Sequence, residues 1–146
     1  MPVYSRILVP LEHSPYDGAI LTHVRPLARL CGASVVLIHV ADGWVARNFR
    51  QLELRESDEM QKDREYLERL VRELAADGLD ADAVLANGDP TAEIVSAAER
   101  ERCDLIAMAT HGHRLVGDLV YGSVAESVRH RCSVPVLLVR GRKDGS

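Results

Sequence analysis

The stretch 34-SVVLIHVAD-42 carries the strongest indication of the fold, because it is a short run dense in branched apolar residues. Runs of about four to eight such residues, bounded by turn signals, suit strands that are buried on both faces of a parallel sheet. Comparable runs occur at four other places, the second of them weaker: 6-RILVP-10, 81-ADAVLANGD-89, 104-DLIAMAT-110 and 134-VPVLLVR-140. The sequence therefore predicts five strands.

Segments with helical spacing separate these runs. In the first connection one face is apolar and Gly32 follows in the position of a left-handed cap, while Pro26 is expected to kink or weaken the helix. The apolar residues of that face are Ile20, Val24, Leu27, Ala28 and Cys31. A second helix is predicted after the segment 43–51, with a charged face in solvent and an apolar face formed by Met60, Leu67, Leu70, Val71 and Leu74.

Two more helices are predicted in the second half of the chain. Pro90 and Thr91 begin a third helix, and a fourth runs from about Gly122 to Arg131. Strands that alternate with helices predict an α/β domain, with a single doubly wound, mostly parallel sheet and helices on both faces. The 146 residues suit one domain, and 141-GRKDGS-146 is expected to be a frayed tail.

Composition excludes several classes of protein. The formal net charge is -4 and the basic residues are scattered, so nucleic acid is not an expected partner. The sequence contains neither a signal-peptide pattern nor an apolar run of about 20 residues, so no membrane association and a cytoplasmic location are expected. The cysteines Cys31, Cys103 and Cys132 lack metal-ligand spacing and are expected to be small buried apolar residues.

The segment 110-THGHRLVGDLVYGSVAE-126 follows the fourth predicted strand and has the composition of an anion site. Glycines let backbone N–H groups face a ligand, and a helix that begins near Gly122 would add unpaired N–H groups with a partial positive charge. Ser123 could bind phosphate, although Ser123 to Glu126 also matches a capping box. The chain lacks G-x-x-x-x-G-K-[ST], and no G-x-G-x-x-G follows the first strand, which argues against the commonest nucleotide loops.

Ala109-x-x-Gly112, followed after nine residues by Gly122-Ser123, closely resembles the G-x2-G-x9-G-[ST] signature of nucleotide-binding universal stress proteins. Other segments resemble the same family along nearly the whole chain: 6-RILVPLEHS-14, 37-LIHVAD-42, 88-GDP-90 and 133-SVPVLLVR-140. The resemblance implies one universal stress protein domain over residues 1–146, of the adenine-nucleotide alpha-hydrolase-like fold with strand order 3-2-1-4-5. It also implies a regulatory protein of the stress response that binds an adenine nucleotide. ATP is the first candidate, ahead of ADP and AMP, and Mg²⁺ or Mn²⁺ could be bound together with its phosphates.

The resemblance places the nucleotide at the carboxyl ends of the first, second and fourth strands. The residues implied as contacts are Pro10, Leu11, Glu12, Ser14, Val40, Ala109, His111, Gly112, His113, Arg114, Gly122, Ser123 and Val124. The glycines and Ser123 would hold phosphates, Glu12 would face the adenosine, and the backbone at Val40 would meet adenine. In the family, glycine is usual at 109 and Asp at 12. Ala109 is tolerable unless the position needs a positive φ, whereas the longer Glu12 moves its carboxylate by about 1.5 Å.

Histidines in the same loops leave other interpretations open. His13, His111 and His113 could hold a transition metal, but no carboxylate or cysteine joins them at a recognised spacing, so no metal site is predicted. The sequence 111-HGH-113 is similar to the H-x-G-H box of nucleotidylyltransferases, which belongs after a first strand rather than a fourth. His39, inside the second strand, is expected to be a partnered core histidine.

Catalysis and protein partners are also open. Candidates for acid or base chemistry are Glu12, His13, His111, Arg114 and Asp118, but no pair has a spacing that commits it to a role, so any ATP hydrolysis is expected to be slow. Trp44 and Phe49, in 43-GWVARNFRQ-51, could plug the end of the sheet, cover the base or bind a partner. A homodimer is expected through the last strand, at Val134, Val136 and Leu138, because an exposed apolar edge strand invites pairing.

Overall fold

The computed structural model describes residues 3–42, 49–111 and 116–141, and of residues 42, 49–57, 111 and 116–123 it describes the backbone alone. These residues form five strands and four helices, in chain order β1 Arg6–Pro10, α1 Asp17–Cys31, β2 Ser34–Asp42, α2 Phe49–Ala76, β3 Ala81–Gly88, α3 Pro90–Arg100, β4 Leu105–His111, α4 Val116–Arg131 and β5 Val136–Gly141. The strands pair in parallel in the order β3-β2-β1-β4-β5. The doubly wound sheet and its strand order are thereby confirmed.

Alternate residues of the central strands enter two separate cores, because successive side chains of a strand point to opposite faces. Ile7, Val9, Val35 and Leu37 pack under α1 and α2, where they meet apolar residues such as Leu74. On the other face, the strand residues Leu8, Val36, Ile38, Ile106 and Met108 pack under α3 and α4. Helices therefore cover both faces, which explains why the strands read as nearly continuous apolar runs.

The sheet divides between its two central strands. β1 and β4 pair only at Ile7 with Leu105 and at Leu8 with Ile106. Beyond these two pairs, β1 continues to pair with β2 as far as Pro10, which lies opposite Ile38. β4 continues to pair with β5 as far as His111. The chain then enters α1 on one face and α4 on the other, so that a crevice opens at the carboxyl ends of β1 and β4. Ligands of doubly wound proteins bind at this kind of switch point.

The helix signals in the sequence have clear structural counterparts. Gly32 caps α1 with a φ of 67°, in the left-handed region, and its N–H faces the carbonyls of Ala28 and Arg29. α1 continues through Pro26, so the proline does not divide the helix. Asp89 caps α3, accepting a 2.9 Å hydrogen bond from the Ala92 N–H. A proline directly after this cap is favourable, since the first helical N–H has no partner within the helix.

Three predicted boundaries are wrong. α2 begins at Phe49, inside the segment 43–51 that was expected to precede it, because Arg, Gln, Leu and Glu favour a helix from this point on. α4 begins at Val116 rather than Gly122, because Val116, Leu119 and Val120 already have helical spacing. β5 begins two residues later than expected, at Val136, after Pro135. Among the described residues, no helix is long and apolar enough to cross a membrane.

Removal of the Asp89 cap should destabilise the protein measurably. In Asp89→Ala the Ala92 N–H loses its side-chain acceptor, and such losses lower the free energy of unfolding by about 1 kcal/mol. Urea denaturation measures this change. The control is Asp80→Ala, which removes an exposed carboxylate shortly before β3 and should change the free energy by less than about 0.5 kcal/mol. Equal stabilities of the two variants would contradict the assigned role of Asp89.

Candidate functional site

A single buried carboxylate organises the loop that follows β1. Asp17, at the start of α1, is 3% exposed. It accepts hydrogen bonds from three successive backbone N–H groups, at 3.0 Å from Glu12, 2.9 Å from His13 and 3.2 Å from Ser14. The hydroxyl of Tyr66, on α2, donates a fourth at 2.6 Å. Because a buried carboxylate is costly without such donors, these four bonds fix the loop and the carboxylate to each other.

The two polar side chains of this loop that were expected to face a nucleotide contact each other. The hydroxyl of Ser14 donates to Glu12 Oε1 at 2.6 Å, and the same hydroxyl accepts from the Tyr16 N–H at 3.2 Å. A carboxylate and a hydroxyl thus stand together at the carboxyl end of β1. Such a pair can exchange hydrogen bonds with the hydroxyls of a sugar.

Two histidines share one carboxylate behind the loop. Asp63, on α2, lies 2.6 Å from Nδ1 of His13 and 3.4 Å from Nε2 of His39. The Nδ1 of His39 is 2.9 Å from the Leu11 carbonyl, which can only accept, so Nδ1 carries the proton. His39 is therefore a partnered histidine of the strand, as expected. The ring of His13 also stacks on Tyr66, with the centroids 4.0 Å apart.

His13 has an unusual backbone conformation for a residue with a side chain. Its φ is 61°, in the left-handed region. This region costs a residue other than glycine about 1–2 kcal/mol. The hydrogen bond from its N–H to Asp17, the contact with Asp63 and the stacking on Tyr66 hold it there. The loop conformation is therefore determined by several contacts at once, as is typical of strained residues at functional sites.

The remaining sequence-predicted residues at the crevice lie on the strands that flank it. Pro10 ends β1, and Leu11 extends its pairing by donating its N–H to the Ile38 carbonyl at 2.7 Å. Val40 lies near the end of β2, opposite Ala86. The structure thus brings Pro10, Leu11, Glu12, Ser14 and Val40 to one end of the sheet.

On the other side of the crevice, Ala109 and His111 belong to β4, opposite Val139 and Gly141 of β5. Ala109 does not have a positive φ, and its methyl group is buried in the core under α1 and α2. The position therefore accepts alanine without strain. Only the backbone of His111 is described, at the last residue of β4.

The glycine segment is described only in part. Gly112, His113 and Arg114 lie outside the described residues. The backbone of Gly122 and Ser123 lies inside α4, six and seven residues after its start at Val116. Because only the first four N–H groups of a helix are unpaired, Gly122 and Ser123 do not form the expected helix N-terminus. The side chain of Val124 is buried in the core under α3 and α4.

The structure also bears on the metal site, the cysteines and the aromatic residues considered in the sequence. Among the described side chains, no three or more His, Cys, Asp or Glu residues form a group that could hold a metal ion. Cys103 is buried, which raises the pKa of its thiol to about 11, and Cys31 and Cys132 are partly buried. Trp44 lies outside the described residues, and of Phe49 the backbone alone is described, as the first residue of α2.

Three residues that organise the site were missed in the sequence: Asp17, Asp63 and Tyr66. The charged side of α2 was expected to face solvent, but Asp63 retains only 18% of its side-chain exposure. The available signal was the spacing of these residues from the buried Leu67: Asp63 comes four residues before it, and Tyr66 directly before it. That spacing places both near the apolar face, where a carboxylate needs a partner.

Together, the sheet order and the divergence of β1 and β4 define a doubly wound α/β protein with a topological switch point between these strands. The model of the universal stress protein family matches residues 3–140, and the chain belongs to this family. Universal stress protein MJ0577 of Methanocaldococcus jannaschii is 26% identical, over 94% of this chain and 96% of its own. A universal stress protein of Methanothermobacter thermautotrophicus is 31% identical, over 94% and 97%.

Solved structures share the fold. That of MJ0577 has a TM-score of 0.79 at 29% identity and covers 95% of this chain and 97% of its own. A universal stress protein in complex with cAMP has a TM-score of 0.67 at 18% identity, covering 94% and 97%. The universal stress protein of Archaeoglobus fulgidus in complex with dAMP has a TM-score of 0.64 at 21% identity, covering 94% and 99%. At these lower identities the last two likenesses show the fold alone.

The hydroxyl of Tyr66 should resist ionisation in the folded protein. Burial and, after it, the hydrogen bond to Asp17 raise the pKa of Tyr66 well above its ordinary value. The stabilisation is present below the ordinary pKa of about 10 and is lost as the pH rises through the higher folded pKa. In an alkaline titration followed by tyrosinate absorbance, native wild type and native Tyr66→Phe should agree near pH 10.

The matched control is the same pair of proteins in denaturant, where wild type should ionise one tyrosine more than Tyr66→Phe. If the native proteins already differ by about half a tyrosine near pH 10, as an ordinary pKa of about 10 would give, Tyr66 does not donate to a buried carboxylate.

Proposed function

We propose that this universal stress protein is a regulatory module that binds an adenine nucleotide, ATP in the first instance, in the crevice between β1 and β4. The observation that carries the proposal is the early end of pairing between these strands, after Leu8 and Ile106. The divided sheet leaves the loop after β1, with Glu12 and Ser14, beside a gap between the ends of the two strands. Universal stress proteins of the same fold have been solved with cAMP and with dAMP, which supports the choice of an adenine nucleotide.

The loop after β1 supplies chemistry suited to a nucleoside. Glu12 and Ser14 stand together at the carboxyl end of β1 and would bind the ribose hydroxyls. The Glu12 carboxylate already reaches Ser14, so a ribose hydroxyl could join an existing pair. The backbone of Val40, at the end of the neighbouring strand β2, would contact adenine.

The phosphates would lie on the other side of the crevice, along the segment from Ala109 to Ser123. Two observations support this half of the proposal: the glycine-serine signature of the sequence, and the position of Ala109 and His111 on β4 at the crevice. Gly112, His113 and Arg114 would contribute N–H groups and positive charge. The signature, rather than the observed start of α4, carries the role of Gly122 and Ser123. A Mg²⁺ ion, which prefers phosphate oxygens, would accompany ATP here.

ATP should stabilise the protein, and Glu12 should contribute to its affinity. A ligand at ten times its Kd raises the free energy of unfolding by about 1.4 kcal/mol, which thermal denaturation with Mg·ATP detects. In Glu12→Ala the ribose loses a charged acceptor, and the Kd from calorimetry should rise roughly tenfold.

The control for Glu12→Ala is Glu99→Ala, which removes an exposed carboxylate from the end of α3 and should leave the Kd within about twofold. The proposal fails if native mass spectrometry finds no nucleotide on the purified protein and ATP, ADP, AMP and cAMP at millimolar concentration all leave its melting temperature unchanged. In that case a nucleotide-free interaction protein becomes the better account. Rapid ATP turnover that is lost in Glu12→Ala would favour an enzyme instead.

We also propose a homodimer through β5. Among the described residues this strand pairs with β4 alone, and Leu138 at its centre is 40% exposed. Val134 and Val136, partly exposed beside it, enlarge the apolar surface. An exposed apolar edge strand is a template for pairing, and a two-fold axis would satisfy both copies at once.

Sedimentation should detect a dimer at micromolar concentration and its loss in Leu138→Lys, because a lysine on each copy would place two like charges across the axis. The control is Ala83→Lys, on the opposite edge strand β3, where the exposed side chain should accept lysine without effect on the mass. A wild-type protein that is strictly monomeric, or an equal loss of dimer in both variants, would contradict the proposal.

A further inference from the structure

Residues from two helices hold the backbone of the loop Leu11–Ser14, in addition to the contact of Ser14 with Glu12 inside it. Asp17 of α1 accepts all three N–H groups of Glu12, His13 and Ser14, and it is almost fully buried. Three N–H groups that converge on one carboxylate leave the backbone little freedom. The position of the Glu12 side chain is therefore fixed through the backbone by Asp17.

α2 completes this arrangement from outside the crevice. Tyr66 donates its hydroxyl to Asp17 and stacks on the ring of His13, while Asp63 contacts both His13 and His39. Through His39 the network reaches the Leu11 carbonyl, at the beginning of the same loop. α2 thus contacts the loop directly at His13 and reaches Leu11 through His39.

The loop contains one energetically unfavourable backbone conformation, at His13. The left-handed backbone of His13 is unfavourable for a residue with a side chain, and the loop would relax if its contacts were removed. Tyr66 and Asp63 supply side-chain contacts to His13, and Asp17 binds its N–H. A small change on α2 should consequently alter the backbone around Glu12.

We propose that Asp17, Asp63 and Tyr66 are positioning residues of the nucleotide site, which set its affinity through the loop Leu11–Ser14. The proposal rests on the proposed function and deepens it. α2 thereby becomes part of the binding site, although its residues act through the loop. A displacement of α2 relative to α1 would therefore change the affinity for nucleotide, and events on the surface of α2 could regulate binding.

The variants Tyr66→Phe, Asp63→Asn and Asp17→Asn test the proposal. Tyr66→Phe removes the donor hydroxyl, and each Asp→Asn change replaces a charged acceptor oxygen with a donor NH2 group, with little change in shape. The Kd for Mg·ATP should rise roughly tenfold in Tyr66→Phe and more in Asp17→Asn, because Tyr66 supports the loop through one bond to Asp17, whereas Asp17 binds three of its N–H groups. The backbone N–H resonances of Glu12, His13 and Ser14 should move and exchange faster with solvent in the absence of any nucleotide.

Matched controls lie at the opposite end of β1. Asp104 also accepts backbone N–H groups, at 2.9 Å from Ser5 and 3.1 Å from Arg6, so Asp104→Asn breaks a similar clamp at the amino ends of the strands. Tyr4→Phe, near the same end, removes the hydroxyl of a partly buried tyrosine. Both controls should leave the Kd within about twofold and the three loop resonances in place, even where Asp104→Asn lowers stability.

The results separate the two proposals. If wild type binds no nucleotide, the proposed function fails, and the loop resonances alone decide whether Asp17, Asp63 and Tyr66 position the loop. If wild type binds ATP and Tyr66→Phe binds it equally well, with unmoved N–H resonances of Glu12, His13 and Ser14, the positioning proposal is overturned. It is also overturned if Asp104→Asn weakens ATP binding as much as Asp17→Asn, since the effect would then follow stability alone.

Discussion

The end of pairing between β1 and β4 is the constraint on which the rest of the structure depends. Each of these strands keeps its outer neighbour, so neither can close the gap beyond Leu8 and Ile106. The following helices then leave on opposite faces, α1 toward one core and α4 toward the other. A crevice at this point is a consequence of the winding itself, and the residues that line it are free to specify a ligand.

Much of this architecture could be read from the sequence. Apolar runs such as 34-SVVLIHVAD-42 predict buried strands because both faces of a parallel sheet are covered. Gly32 and Asp89-Pro90 predict helix ends because their backbone chemistry is local. The predicted start of α4 is wrong because Gly122-Ser123 resembles a helix cap in the sequence. The apolar spacing of Val116, Leu119 and Val120 shows instead that the helix begins before these two residues.

The network behind the loop could not be read in the same way. Asp17 and Tyr66 are separated by 49 residues, and their contact depends on how α2 packs beside α1. The spacing of Asp63 before Leu67 indicates that this carboxylate lies near the apolar face, but nothing local identifies two histidines as its partners. Tertiary packing therefore decides which carboxylate of α2 contacts the loop after β1, whereas the signature around Ala109 and Gly112 can be read from spacing alone.

Ligand mapping by NMR tests the central claim most directly. When Mg·ATP is added to the labelled wild-type protein, the backbone N–H resonances that move should belong to Leu11–Ser14, Val40 and the segment from Ala109 to Ser123. The amino ends of the strands, around Ser5 and Asp104, should be unaffected. Binding that moves the resonances around Ser5 and Asp104 while those of the crevice stay in place would contradict the account.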